Sequence, residues 1–94
     1  MKYLTPSDIK AYVALAFAAD KIFDLQREDT ALPYLEQVIT LKPRWAIAQF
    51  YKGVALSSVG SSDETKAAYR KAAKLDTGDG TIKAAALAAI EEVR

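Results

Sequence analysis

A chain of 94 residues, 51% of them apolar and with a net charge of +1, builds one domain with a globular core. That charge balance gives no general pull toward nucleic acid or an acidic membrane, and no apolar run approaches the roughly 20 residues of a membrane span. The absence of cysteine and histidine excludes disulfide scaffolds, thiolate metal sites, cysteine nucleophiles and every histidine-dependent mechanism.

Thr5-Pro6-Ser7-Asp8 reads as a helix start: an N-cap, a proline at the first helical position and an acid at the third. The spacing predicts a first helix from there to about Leu25. Its stretch Ala11–Ala19 imitates the apolar core of a signal peptide, but Asp8 sits where a basic flank belongs. A helix in a cytoplasmic protein is therefore expected, with secretion or a periplasmic location as the alternative. Gln26–Asp29 turns the chain, and a second helix follows from about Thr30 to Leu41, with Pro33 in its first turn. Lys42-Pro43 stops it. A third helix is expected over Trp45–Val59, ended by Gly60. Ser61 and Glu64 have the spacing of a capping box that opens a fourth helix to Leu75. After the loop Asp76–Gly80, a fifth helix runs from Thr81 to Val93, with Ile82, Ala86, Ala89, Ile90 and Val93 on one face. The chain is all-α.

Displacing the sequence by 34 residues aligns it with itself without a gap. Ala14 falls on Ala48, Phe17 on Tyr51, Ala19 on Gly53 and Ile22 on Leu56. Further on, Leu35 falls on Tyr69, Val38 on Ala72 and Leu41 on Leu75. Small residues meet small ones and large apolar residues meet large ones. The units are 12–45 and 46–79, followed by a capping helix over 80–94.

The second unit, with AQFYKGVALSSVG and AAYRKAAKLD, resembles the tetratricopeptide repeat family. Gly53 stands at the small position where the helices of a hairpin cross, Leu56 and Tyr69 at large positions, and Ala72 at the second small one. The first unit matches through Leu15, Ala19, Ile22, Ala31, Leu35, Val38 and Pro43. Gln49, Lys52, Thr65 and Thr77 depart from the pattern. The resemblance implies tandem antiparallel helical hairpins, five helices in all. In such stacks each unit completes its neighbour's core. With two units, one end is left to be closed by the long first helix, a second copy or further sequence.

The resemblance also implies a concave groove lined by the first helix of each hairpin. The transferred positions are Val13, Ala16, Asp20, Phe23 and Asp24 in the first unit. Those of the second are Ile47, Phe50, Tyr51, Val54, Ser57 and Ser58. Ile47, Phe50 and Val54 form one apolar stripe, either a partner surface or part of the core. With Asp20 and Asp24 at its margin, the groove suits an apolar anchor beside a Lys or Arg. Ala16, Asp20 and Tyr51 do not supply the basic set with which some family members grip a C-terminal carboxylate.

Other features carry less. GDGTI at 78–82 imitates part of a calcium loop, but the ligand positions fall on Leu75, Thr77 and Ala86. Asp63-Glu64 and Glu91-Glu92 are adjacent on helices and cannot converge as acid and base. Trp45 suits the joint between units. With no nucleophile, phosphate loop or metal cluster, the expectation is a non-enzyme without cofactor or small-molecule substrate. The leading reading is an adaptor that binds another protein. A homodimer using the same apolar surface is the alternative, and nucleic-acid binding through Lys66, Arg70, Lys71 and Lys74 is the least favoured.

Overall fold

The computed structural model describes residues 5–24, 28–59 and 61–93. Leu25, Gln26, Arg27, Gly60 and Arg94, which figure in the expected turns and termini, lie outside the described residues, as do the side chains of Asp24 and Glu28. The described chain is five α-helices with no strand: α1 Pro6–Ala19, α2 Glu28–Leu41, α3 Ala46–Val59, α4 Ser62–Leu75 and α5 Thr81–Glu92. Each packs chiefly on the next, and weaker contacts join α1 to α3 and α3 to α5. The body measures 42 × 28 × 20 Å, elongated as a stack of hairpins should be.

α1 begins with the expected cap. The Asp8 backbone N–H donates to Thr5 Oγ1 at 3.1 Å, and the Thr5 N–H donates to Asp8 Oδ2 at 3.0 Å. Lys42, just past the end of α2, ion-pairs with Asp8 and ties the start of α1 to the end of its partner helix. The hydrogen bond from Lys42, helped by the Thr5 N–H, lowers the Asp8 pKa to about 2. α1 ends earlier than the periodicity predicts. At Asp20 the chain widens into a π-helical turn, Asp20–Asp24, which puts Ile22 into the core and leaves Phe23 57% exposed.

α2 starts at Glu28, so Pro33 lies inside the helix rather than in its first turn. Proline has no N–H for the Asp29 carbonyl, but Asp29 is exposed and water can serve it. α2 and α4 are offset by 34 residues at both ends, Glu28 to Ser62 and Leu41 to Leu75. α1 starts six residues earlier than that offset places it relative to α3 (Pro6 against Tyr12, the counterpart of Ala46), and so extends beyond the repeat.

Burial repeats with the same period. Ala14 and Ala48, Ile22 and Leu56, Ala31 and Thr65, Leu35 and Tyr69, and Val38 and Ala72 are all buried. Eleven of the sixteen buried apolar residues described are alanines, so helices approach closely while each contact contributes little area. α3 and α4 approach closely at Gly53, where an added Cβ would stand 2.6 Å from Tyr69 Cδ1 and Cε1. Gly53 is thus the point at which α3 and α4 cross.

The capping box expected at Ser61 does not form. The Ser61 side chain makes no cap hydrogen bond; instead its carbonyl accepts from the buried Thr65 hydroxyl at 2.6 Å and the Thr65 N–H at 2.9 Å. At α5 the cap residue is Gly80, with φ +84°. Asp79 Oδ1 accepts the Thr81 N–H at 2.9 Å, and this contact lowers the Asp79 pKa. Asp76 Oδ2 accepts the Lys83 N–H at 2.9 Å, satisfying another donor of the first turn. Both loop acids therefore serve the start of α5.

Candidate functional site

The residues transferred from the family pattern separate into three environments. On α1, Val13 is 49% exposed and Ala16 is exposed with it, as is Asp20 just past its end. Val13 shares a hollow of about 320 Å³ with Ile9, Phe17 and Tyr34, lined by α1 and α2. Phe17 and Tyr34 touch through their rings, with centroids 5.6 Å apart. This surface lies over the first hairpin rather than between hairpins.

The second group, Phe50, Tyr51 and Val54, is half-buried, with the exposed Phe23 beside it. Phe23 stacks edge-on against Tyr51 at 5.4 Å, joining the π-turn to α3. Phe50 packs on Tyr69 at 5.5 Å and on Tyr51 at 6.3 Å, against a cluster that includes Ala72, Ala73 and Ala86. Val54 touches that cluster and also the one formed by Ala18, Ile22, Leu35 and Ala55. Phe50 and Val54 therefore join the second hairpin to α5. Two members of the apolar stripe have internal work.

Ile47, the third member, does not. It is half-buried in a cleft of about 350 Å³ with Tyr12 and Leu15 from α1, Arg44–Ala46 before and at the start of α3, and Leu75, the Asp76–Gly78 loop and Ile82 opposite. Trp45 forms one wall, its ring 4.7 Å from Tyr12. Its place at the joint between the hairpins is the one expected from sequence. The lining is mixed: beside the apolar side chains, the Asp76 carboxylate accepts from the backbone N–H groups of Gly78 and Lys83 and keeps its negative charge. Arg44, exposed at the rim, supplies the positive charge.

Sequence reasoning found Ile47 but missed Tyr12, Leu15, Leu75 and Ile82. Their shared hollow depends on α5 folding back beside α3, which no local spacing encodes. Ser57 and Ser58 are exposed, and the Ser57 hydroxyl donates to the Val54 carbonyl at 2.6 Å. Ser57 also hydrogen-bonds the Tyr69 side chain, whose burial pushes its phenol above the ordinary range.

On α4, Arg70, Lys71 and Lys74 are exposed and Lys66 half-exposed, while Tyr69 among them is 5% exposed and unable to stack on a base. Asp63, Glu64, Glu91 and Glu92 are all exposed. Among the described residues no group of three or more acids could hold a metal ion, and no helix is long and apolar enough to cross a membrane. Comparison with family models, with characterised proteins and with solved structures gave no significant match.

Proposed function

We propose that this chain is a tetratricopeptide-type interaction module that holds a segment of another protein in the cleft around Ile47. The 34-residue period shared by sequence, helix ends and burial supports the family reading, as does the glycine where α3 meets the Tyr69 ring of α4. The carrying observation is the cleft itself: alternate helices α1, α3 and α5, with the end of α4 and its loop, line one shallow hollow that pairs apolar side chains with a few polar groups. Apolar contacts joined to a few placed polar groups are the form that helix and peptide recognition takes.

The chemistry of the rim narrows the partner. Sequence alone suggested an apolar anchor beside a Lys or Arg, on the strength of Asp20 and Asp24. Asp20, at the start of the π-turn, lies outside this cleft, whereas Arg44 borders it. The matching ligand is an aliphatic or aromatic anchor whose acidic neighbour lies on the Arg44 side, away from the Asp76 carboxylate. No catalytic role is assigned to any residue.

Peptide display on the wild-type protein, with counter-selection on a folded Ile47→Asp variant, tests the assignment. Peptides retained by wild type alone, carrying an apolar anchor next to Asp or Glu and weakened by Arg44→Glu, are the expected result. Equal retention by both proteins would sink the assignment.

A further inference from the structure

α1 is apolar around nearly its whole circumference, unlike the strongly amphipathic α4. A helix of that kind is normally covered on every side. Here only the side bearing Ala11, Ala14 and Ala18 is buried. Of the seven large apolar residues half-exposed or nearly so among those described, Ile9, Tyr12, Val13 and Phe17 lie on α1 and Phe23 on the turn that continues it. The other two, Val59 and Leu87, are isolated on different helices.

Ile9, Val13, Ala16, Phe17 and Asp20 follow helical spacing along one stripe, with Lys10 beside it. Ala16 lets another helix approach at the centre of the stripe. The ends carry opposite charges: Lys10 at one and Asp20 at the other, both exposed and neither in an ion pair with a described residue. They are ten residues apart, about 15 Å along the axis.

From this arrangement we infer that the outer face of α1 docks on the same face of a second copy, antiparallel, across a two-fold axis near residue 15. In that register Val13 lies level with Phe17 of the second copy, and each Lys10 lies level with the opposite Asp20. The charge order along the stripe is thus complementary to itself when reversed, which is what a closed two-fold contact requires. A contact between α1 and the α5 end of another copy would instead leave open ends. α5 also offers only Leu87 as a large exposed apolar residue.

Half-exposed aromatic and aliphatic side chains contribute on the order of 100 Å² each, so the stripe and its flanking charges reach about 500–600 Å² per partner, the low end of specific interfaces. An interface of that size suits a weak, reversible dimer. This surface is separate from the Ile47 cleft, so the two assignments stand or fall independently.

Sedimentation equilibrium on the whole chain, from low-micromolar to millimolar concentration, decides it. The expected result is a monomer–dimer equilibrium that Val13→Asp abolishes, while circular dichroism shows the helices intact and Ile47→Asp leaves association unchanged. Lys10→Glu and Asp20→Lys should each raise the dissociation constant about tenfold, since each reversal disturbs both symmetric ends. The double variant should restore it. A wild-type monomer throughout overturns the inference. So does a dimer that survives Val13→Asp, or one whose charge reversals have no effect or do not rescue each other.

Discussion

Gly53→Ala adds one methyl group where α3 crosses α4. The new Cβ would stand 2.6 Å from Cδ1 and Cε1 of Tyr69 and 3.0 Å from Cζ. Carbon atoms pack comfortably at about 3.5–4.0 Å, so the ring must retreat by roughly 1 Å. Tyr69 is 5% exposed, Phe50 faces it at 5.5 Å, and Ala72, Ala73 and Ala86 share its cluster, while its other side borders a hollow of about 370 Å³ with Ser57, Thr65 and Val93. Retreat away from that hollow displaces α4 or α5. Overpacking of this kind costs about 1–3 kcal/mol, against a gain of about 1 kcal/mol from replacing a mid-helix glycine. The net loss reaches about 2 kcal/mol, a fall in Tm of up to roughly 15 °C for a domain of this size.

Thermal and urea unfolding followed by far-ultraviolet circular dichroism measures the loss directly. Tyr69→Leu removes the obstructing ring atoms, so Gly53→Ala should cost much less in that background. A coupling energy above about 1 kcal/mol between the two sites is expected. If Gly53→Ala stabilises the protein by about 1 kcal/mol, helix propensity alone governs the site and the crossing geometry is wrong. An equal cost with and without the Tyr69 ring would point to the same error.

Phe50→Ala should lower stability by about 2–4 kcal/mol in urea unfolding, because the ring joins Tyr51, Tyr69 and the α5 cluster. Ile47→Asp, at the open cleft, should stay within about 1 kcal/mol of wild type, and comparable losses for both would refute the division between core and cleft. The Asp8 carboxyl falls from 3.8 when unperturbed to about 2 in the folded chain, so its stabilising effect is present above pH 4. That effect is lost as pH falls from about 4 toward 2, where the folded carboxyl protonates. Lys42→Met should reduce this acid-dependent loss, read from unfolding midpoints across the range; an unchanged pH profile would contradict the linkage. Asp76→Ala should cost about 1 kcal/mol and speed amide exchange in the first turn of α5, where Lys83 donates to it. Unchanged exchange there would rule out its capping role.

Short-range chemistry made much of the architecture legible. Thr5, Pro6 and Asp8 specify a helix start within four residues, and their hydrogen bonds form as read. The 34-residue spacing of small and large side chains reappears in the ends of α2 and α4 and in the paired burial of Leu35 with Tyr69. Gly53 stood out because a close helix crossing has no room for a side chain. The same local reasoning failed at Ser61, where Thr65 reaches the carbonyl and no capping box forms. It also failed after Ala19, where the π-turn interrupts an otherwise uniform helical pattern.

The candidate site divides along the same line. Helical periodicity placed Ile47, Phe50 and Val54 on one stripe of α3, and that much belongs to the sequence. Which members are covered depends on where α5 lands, a through-space outcome of packing between residues more than thirty positions apart. α5 closes over Phe50 and Val54 and leaves Ile47 facing Tyr12, Leu15 and Ile82. Likewise, α1 is apolar around most of its circumference, but only the stack of hairpins decides that α2 and α3 cover one side of it. Local spacing determines which residues share a helix face, whereas tertiary packing determines which faces remain open to a partner.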